Sequence, residues 1–193
     1  NHSSGKMGYA IACDAARRGA DVILVSGPTA LAAPRNVTLI PVESTQEMLD
    51  ACLTVYDSVD AVIKAAAVAD YTPEQVADKK IKREKTGDMS LNLKPTQDIA
   101  ACLGEMKERY PGKILVGFAL ETNNEQYNAE DKLKRKNLDF IVLNSLNDKG
   151  AGFRCDTNKI SIIDRSGKKD YPLKSKAEVA ADIIDHLVEV MNS

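Results

Sequence analysis

The sequence predicts an α/β protein with a Rossmann-like, three-layer fold around a mainly parallel sheet. Short apolar segments rich in β-branched residues alternate with amphipathic stretches of helical length, and this alternation builds βαβ units. The apolar segments are nearly all apolar, which is typical of strands that helices cover on both faces. A chain of 193 residues, 44% of them hydrophobic, is long enough to close a sizeable core as one domain over 1–193.

Five strands and five helices follow from these patterns. The strands are Asp21–Ser26, Val37–Val42, Asp60–Ala66, Lys113–Phe118 and Asp139–Leu143. The helices are Gly5–Arg18, Thr45–Val55, Gln97–Tyr110, Glu125–Lys136 and Ser175–Val190. A doubly wound fold opens with a strand, whereas this sequence opens with a loop and a helix. We therefore expect the first strand to be absent from this sequence.

Two segments depart from the plain alternation. Lys159–Ile163 and Lys169–Leu173 flank a Ser-Gly turn, which predicts a β-hairpin within a C-terminal hairpin and helix unit at about 155–193. The segment at about 71–94 is long, polar and rich in lysine, with a weak strand pattern at Ser90–Leu93. A connection of this length is usually a functional lid or a disordered segment, and we predict a lid loop.

The composition excludes several classes of protein. With 26 Lys and Arg against 28 Asp and Glu, the net charge is −2, which argues against general nucleic-acid binding. No apolar run reaches the roughly 18–20 residues of a membrane helix. Four cysteines lie far apart without a CxxC pair, which predicts neither a disulfide framework nor a zinc site. These features favour a cytoplasmic protein without a membrane partner.

The first candidate site is the loop from Asn1 to Gly8, which leads directly into a helix. Small residues at a helix start leave backbone N–H groups free, and the helix dipole favours an anion there. The spacing matches neither a Walker A loop nor a complete GxGxxG. The alternative is that Ser3 or Ser4 is an ordinary helix cap.

The second candidate is the alanine segment Ala65–Ala69 with Asp70, at the carboxyl end of a predicted strand. Ligands of open α/β sheets bind outside such strand ends. Alanines let a flat ring or a backbone approach closely, and Asp70 offers a hydrogen-bond acceptor. The alternative is close helix–strand packing followed by a capping aspartate.

Further candidates are cationic or aromatic. Lys79–Lys85 contains five cations in seven residues and could neutralise a triphosphate, although a solvated charge run is the usual explanation. Lys132 and Lys136 are one helical turn apart and could reach the same anion, or they could belong to a solvated face. Phe118 could stack on a base or pack in the core.

The two histidines, His2 and His186, form no recognisable catalytic relay. We expect His186 among ordinary surface residues of the last helix, and no Ser-His-Asp or Cys-His arrangement is apparent. The sequence therefore predicts an enzyme that activates its substrate with a nucleotide rather than with a protein nucleophile.

Several of these motifs occur in an order that resembles phosphopantothenate–cysteine ligase (phosphopantothenoylcysteine synthetase) of coenzyme A biosynthesis, in its bacterial CTP-dependent form. The resemblance runs from residue 1 to about 144. The motifs are Asn-His-Ser-Ser-Gly-Lys-Met-Gly, Ala-Ala-Val-Ala-Asp-Tyr, Lys-Ile-Lys, Val-Gly-Phe-Ala-x-Glu-Thr and Lys-Asn-Leu-Asp. It implies that 4′-phosphopantothenate and L-cysteine are joined with CTP and Mg²⁺, through an acyl-cytidylate, with release of pyrophosphate and CMP.

The resemblance also implies roles for individual residues. Asn1 and the lid lysine Lys80 would be catalytic. The nucleotide and substrate would be bound by Ser4, Gly5, Lys6, Met7, Gly8, Ala66, Ala67, Asp70, Lys82, Phe118, Lys132 and Lys136. No protein ligands for the metal are implied, since the nucleotide would carry most of the Mg²⁺. Thr96 stands where the family commonly has asparagine, and an arginine common upstream of Asn1 is absent from this sequence.

The resemblance further implies a homodimer and possible fusion to, or partnership with, a flavin-dependent phosphopantothenoylcysteine decarboxylase. Two alternatives stay open. An NAD(P)-binding oxidoreductase would share the α/β pattern, although the middle glycine of its fingerprint is missing. A non-catalytic nucleotide-binding protein of the same fold would share the binding residues but would not need Asn1.

Overall fold

A computed structural model describes residues 3–81, 89–121, 124–145 and 156–193. Within these ranges the predicted α/β fold is confirmed. The helices are α1 (Lys6–Arg17), α2 (Thr45–Tyr56), α3 (Ile99–Met106), α4 (Glu125–Arg135) and α5 (Lys176–Met191). The strands are β1 (Val22–Ser26), β2 (Val37–Pro41), β3 (Ala61–Lys64), β4 (Tyr71–Pro73), β5 (Leu93–Pro95), β6 (Ile114–Glu121), β7 (Phe140–Ser145), β8 (Thr157–Asn158), β9 (Ile160–Asp164), β10 (Lys168–Asp170) and β11 (Lys174–Ser175).

The middle layer is a five-stranded sheet in the order β10-β9-β7-β6-β3. Its strands β3, β6 and β7 run parallel, while β9 runs antiparallel to β7 and β10 antiparallel to β9. In this register Lys64 pairs with Gly117 and Phe118 pairs with Val142. The carboxyl ends of the three parallel strands therefore lie at one edge of the sheet, where the loops that follow them meet.

Apolar side chains leave the sheet on both faces and create two core clusters. On one face Val116 and Val142 pack with α1 and α5, and on the other Leu115 and Ile141 pack with α2, α3 and α4. All four side chains are fully buried. This alternation explains why the strand sequences are almost continuously apolar, since each face of the sheet supports its own helical layer.

β1 and β2 form a separate parallel pair. Every residue of β1 and of β3 is half-buried, in contrast to the buried centres of β6 and β7. Among the described residues no backbone pairing joins β1 to β3. The expectation of a further strand ahead of residue 1 stays a prediction.

The observed elements differ from the predicted ones at their ends. α3 begins only after Asp98, whose carboxylate accepts the N–H of Ala101 at 3.2 Å and caps the helix. The second strand of the hairpin ends at Asp170, and Pro172 follows, which lacks the N–H that a continuing ladder needs. The chain then enters β11, which pairs with β8.

His186 lies in a different environment from the one expected. It is 9% exposed, and its ring meets Phe140 edge-on at 4.7 Å between centroids. Its Nε2 lies 3.1 Å from a carboxylate oxygen of Asp164. The expectation of a surface position is wrong because the helical face that carries Ile183 and Leu187 also carries His186 onto the sheet.

Two general expectations concern disulfides and the membrane. Cys13, Cys52 and Cys102 are free thiols. None of the helices in the described ranges is both long and apolar enough to cross a bilayer.

Candidate functional site at the carboxyl edge of the sheet

Three loops meet at the carboxyl edge of the sheet. Gly8, in the first turn of α1, lies beside the end of β3, so that a Cβ on it would be 3.7 Å from the Cβ of Ala65. Thr29, after β1, donates its hydroxyl to the carbonyl of Ser4 at 3.3 Å. The glycine-containing loop and the alanine segment, which the sequence offers as two separate candidates, therefore form one surface.

The start of α1 is suited to an anion. Gly5 is the N-cap residue, with φ 73°, and no side chain caps the helix. Ser3 instead accepts the N–H of Gly5 at 3.4 Å, so the alternative of Ser3 or Ser4 as the helix cap is wrong. The first intrahelical bond is from the N–H of Tyr9 to Gly5. The preceding N–H groups of the first turn point along the helix axis, where the dipole favours negative charge.

Two residues of this loop contact the C-terminal segment. The ammonium of Lys6 lies 2.6 Å from the carboxylate of Asp156, and this bond lowers the pKa of Asp156. Met7 packs into the α1–α5 core cluster, with its sulfur 3.9 Å from the Nδ2 of Asn158. Asn158 also donates to Asn144, at the carboxyl end of β7, at 3.0 Å. The C-terminal segment thus supports the loop from behind.

The alanine segment leads directly into the base of the predicted lid. Ala66 and Ala67 are half-buried, and Asp70 is exposed. Thr96 holds the segment, because its N–H bonds to the carbonyl of Asp70 at 2.9 Å and its hydroxyl donates to Ala69 at 2.6 Å. Asp70 precedes β4 rather than a helix, so the alternative of a capping aspartate is wrong.

The lid segment begins and ends in a two-stranded ribbon. β4 and β5 pair antiparallel, with Tyr71 opposite Pro95 and Pro73 opposite Leu93. Lys80 lies exposed on the loop that leaves this ribbon. Asn1 and Lys82 lie outside the described residues. The prediction that the two lysine-rich segments meet over one triphosphate therefore stays a prediction.

Phe118 and the two lysines of α4 lie on opposite faces of the sheet. Phe118 is half-buried and packs against the α1–α5 core cluster. Lys136 reaches the N-terminus of α3, where its ammonium lies 2.6 Å from the carboxylate of Asp98 and its side chain is only 14% exposed. The solvated-face alternative is therefore wrong for Lys136. Lys132, one turn earlier, is half-buried.

Asp98 is ionised through this contact. Burial raises the pKa of its carboxyl, but hydrogen bonds from Lys136 and the N–H of Ala101 lower it by more, so that the net pKa is below the usual value. One carboxylate thus both caps α3 and holds the end of α4.

Sequence reasoning missed Lys64, the last residue of β3. Burial lowers the pKa of its ammonium first, and repulsion from Lys136 and Lys132 lowers it further, against a smaller opposing effect of Asp98 and Asp70. The available signal was a single lysine at the end of an otherwise apolar strand. Its environment becomes visible only when the register shows which face of the sheet it occupies.

Close helix packing sets the position of Lys136. A Cβ on Gly104 would lie 2.1 Å from the carbonyl oxygen of Lys136 and 2.9 Å from its carbonyl carbon. Asn137, with φ 50°, donates its side-chain amide to the carbonyl of Gly104 at 3.2 Å. Only glycine lets α3 and the end of α4 approach so closely.

A cavity of about 560 Å³ lies elsewhere, between α4 and the β9–β10 turn. It is lined by Asn137, Asp164 and Arg165, among other residues. Because Phe140 pairs with Asp164, this cavity is beside the amino end of β7. Ligands of open α/β sheets bind at the opposite edge, and the convergent loops of the candidate site lie at that edge.

No group of three or more His, Cys, Asp or Glu side chains that could hold a metal ion occurs within the described ranges.

Comparison with known proteins identifies the relatives of the chain. The family of the DNA/pantothenate metabolism flavoprotein C-terminal domain matches residues 1–191. A protein named cysteine/cysteine sulfinic acid decarboxylase, from an unknown prokaryotic organism, is 53% identical over the whole chain and 53% of its own length. The coenzyme A biosynthesis bifunctional protein CoaBC of Bacillus subtilis (strain 168) is 48% identical over 97% of the chain and 46% of its own length. The chain thus spans about half the length of these curated relatives.

Solved structures share the fold. The crystal structure of the C-terminal domain of a coenzyme A biosynthesis bifunctional protein CoaBC superposes with a TM-score of 0.83 at 43% identity, over 100% of this chain and 85% of that chain. A Cab2 variant in complex with phosphopantothenate-cysteine has a TM-score of 0.77 at 17% identity, over 100% of this chain and 79% of that chain, which shows the fold alone. With the matched profile over residues 1–191 and these relatives, the chain belongs to the family of the DNA/pantothenate metabolism flavoprotein C-terminal domain.

Proposed function

We propose that the chain is the ligase domain of a coenzyme A biosynthesis protein, which joins 4′-phosphopantothenate to L-cysteine at the expense of CTP. The observation that carries the proposal is the contact between the uncapped start of α1 and the alanine segment, Gly8 against Ala65. This contact creates an anion-binding helix end beside a flat, small-residue surface, as a nucleotide needs. The CoaBC protein of Bacillus subtilis, named for coenzyme A biosynthesis, supports the same assignment.

The proposed reaction has two steps. A carboxylate oxygen of 4′-phosphopantothenate attacks the α-phosphorus of CTP, and the bond to the β-phosphate breaks with release of pyrophosphate. The amine nitrogen of cysteine then attacks the acyl carbon of the acyl-cytidylate, the bond to CMP breaks, and the nitrogen loses a proton. Neither step needs a covalent protein nucleophile, so positioning and charge stabilisation supply the catalysis.

The residues divide this work. The backbone N–H groups of Lys6, Met7 and Gly8 bind phosphate oxygens, with Ser4 and Gly5 shaping the loop. Lys80 and Lys82 approach the phosphates from the lid and neutralise the charge that develops on the leaving pyrophosphate. Asn1 holds the acyl-nucleotide and the incoming amine, since an amide both accepts and donates hydrogen bonds.

The nucleotide itself occupies the surface between the two faces of the sheet edge. Ala66 and Ala67 leave room for its flat ring, while Asp70 and Phe118 contact the nucleoside and Lys132 and Lys136 contact its anionic groups. Mg²⁺ binds mainly to the triphosphate oxygens, as is usual for this ion, which keeps most of its waters and few protein ligands.

The first test is pyrophosphate release from CTP in the presence of Mg²⁺, with and without 4′-phosphopantothenate. Release that does not depend on 4′-phosphopantothenate would remove the ligase assignment. The Asn1→Asp variant should still release pyrophosphate yet accumulate the acyl-cytidylate, and unchanged product formation would show the role of Asn1 to be wrong. Competition between CTP and ATP in the same assay measures the nucleotide preference.

The relative named as a decarboxylase suggests a second activity. The chain matches only about half of that protein, and the matched family is described as a C-terminal domain. We therefore assign decarboxylation to the other half of such proteins, and expect the present chain to release no CO₂ from cysteine, cysteine sulfinate or 4′-phosphopantothenoylcysteine. CO₂ release by the chain alone would reverse this assignment. Quenching of NADH fluorescence would support the oxidoreductase alternative, and CTP binding without turnover the non-catalytic one.

We propose a cytoplasmic homodimer that pairs through the lid ribbon. The side chains of Tyr71, Leu91 and Leu93 are more than half exposed, and a two-stranded ribbon such as β4–β5 is marginal alone. A second copy would extend the ribbon and cover these apolar groups. The fused or partnered decarboxylase belongs to the same proposal.

We also propose that a strand upstream of Asn1 lies between β1 and β3. The half-buried side chains of both strands support this, because they leave apolar surface that a parallel strand would cover. A chain extended at its amino end should then unfold at higher urea concentration, and an unchanged midpoint would argue against the added strand.

A further inference from the structure

The candidate site contains a lysine that the proposed reaction does not yet use. Lys64 ends β3, directly before the alanine segment, at the carboxyl edge of the sheet. Val62, two residues earlier, packs into the cluster of α2, α3 and α4. Side chains alternate along a strand, so the Lys64 side chain leaves the sheet on that same face, towards α3 and α4.

The charges around Lys64 do not balance. Lys132 and Lys136 repel its ammonium, whereas Asp98 and Asp70 attract it. Three lysines and two aspartates leave one positive charge in excess. Asp98 is already occupied at 2.6 Å by Lys136. Within the described part of the chain, no carboxylate lies within the 4.0 Å of an ion pair from Lys64.

A half-buried ammonium without an anionic partner is unfavourable for folding. Such a group either loses its proton, becoming structural, or is matched by an anion that the isolated chain lacks. The position of Lys64 distinguishes these cases, because the residue adjoins the surface where the proposed substrates bring phosphate groups. A lysine is a compact point charge on a flexible stem and commonly binds phosphate.

We propose that Lys64 is a phosphate-binding residue of this site, donating to an oxygen of the triphosphate or of the 4′-phosphate of phosphopantothenate. The inference rests on the proposed function and deepens it. In the bound state the substrate oxygen supplies the anion that Asp98 cannot, and the excess positive charge of the cluster becomes a contribution to affinity.

The test measures binding without turnover. Calorimetric titrations with CTP, and separately with 4′-phosphopantothenate, are compared between the wild type and Lys64→Met, which keeps the length of the side chain and removes its charge. We expect Kd to rise at least tenfold for one of the two ligands, which identifies the phosphate that is bound. Thermal stability should be unchanged or higher, because an unpaired buried charge has been removed.

A matched control is Lys113→Met. Lys113 is also half-buried, but it lies at the amino end of β6, where its ammonium donates to the carbonyl of Asp57 at 2.9 Å. This variant should lose stability and bind both ligands as the wild type does. If Lys64→Met fails to fold, Lys64→Arg keeps the charge in a bulkier head, and a Kd that changes for neither ligand would then count against the proposal.

The outcomes separate the two ideas. Binding of both ligands to folded Lys64→Met within twofold of the wild type overturns the role of Lys64 and leaves the ligase assignment intact. A wild type that binds CTP but shows no turnover overturns the ligase assignment, while the Lys64 comparison still decides its own question. A wild type that binds neither ligand overturns both.

Discussion

The contact between α3 and α4 yields a quantitative prediction for Gly104→Ala. The added Cβ would lie 2.1 Å from the carbonyl oxygen of Lys136, whereas ordinary carbon–oxygen contacts begin at about 3.3 Å. The two helices must therefore separate locally by about 1 Å. Because the obstacle is backbone, the cost should be at the upper end of overpacking, about 3 kcal/mol. Alanine returns about 1 kcal/mol of helix propensity, which leaves a net loss of about 2 kcal/mol.

Urea unfolding followed by circular dichroism at pH 7 measures this loss, and a melting temperature lower by about 4–8 °C should accompany it in a chain of this size. The displacement should also disturb the ion pair of Lys136 with Asp98 and weaken CTP binding. The control is Gly27→Ala, where the nearest atom to the new Cβ is the Val42 carbonyl oxygen at 4.0 Å, and we expect a change within about 0.5 kcal/mol. A Gly104→Ala variant as stable as the wild type would refute the described packing of α3 on α4.

Three further predictions concern the same edge of the sheet. Asp98→Ala should lower the free energy of unfolding by about 1–2 kcal/mol at pH 7, since it removes a helix cap and an ion-pair partner. Burial raises and hydrogen bonds lower the pKa of Asp98, for a net lowering, so its contribution is present above the unfolded pKa and lost as the pH falls through the folded one. The difference from the wild type should therefore shrink between pH 7 and pH 3 in urea titrations, and a constant difference would contradict the assignment. Lys80→Gln should slow pyrophosphate release about tenfold or more with little change in melting temperature, because the residue is exposed; a lower melting temperature with unchanged kinetics would make Lys80 structural. Leu93→Lys should convert a dimer to a monomer in light scattering, and a dimer that survives would mean that another surface pairs.

The fold could be predicted from sequence wherever a segment is apolar on both sides. The segments that became β1, β6 and β7 are recognisable because strands between two helical layers leave no position for a polar residue. β4 and β5 could not be predicted from pattern. Each has three residues and ends in a proline, and their pairing depends on Thr96 tying the chain to Ala69.

The candidate site was predictable in its parts but not in its arrangement. The loop before α1 and the alanine segment are visible in sequence, since small residues beside a helix start or a strand end are unusual. The contact of Gly8 with Ala65 depends on tertiary packing. Lys136 was expected to be free for an anion, yet it already has a carboxylate partner in Asp98. Lys64 escaped notice because one lysine in an apolar strand carries no signal until the register assigns it a face.

The packing of α1 on α5 has a consequence for synthesis on the ribosome. These helices come from the two ends of the chain and together cover one face of the sheet. While Lys176–Met191 is still being synthesised, the side chains of Val116 and Val142 have only half of their helical cover. The nascent chain therefore exposes a broad apolar strand surface until nearly the last residue, and a ribosome that stops before α5 leaves a product prone to aggregate. Chaperone dependence should accordingly rise sharply for chains that end ahead of α5.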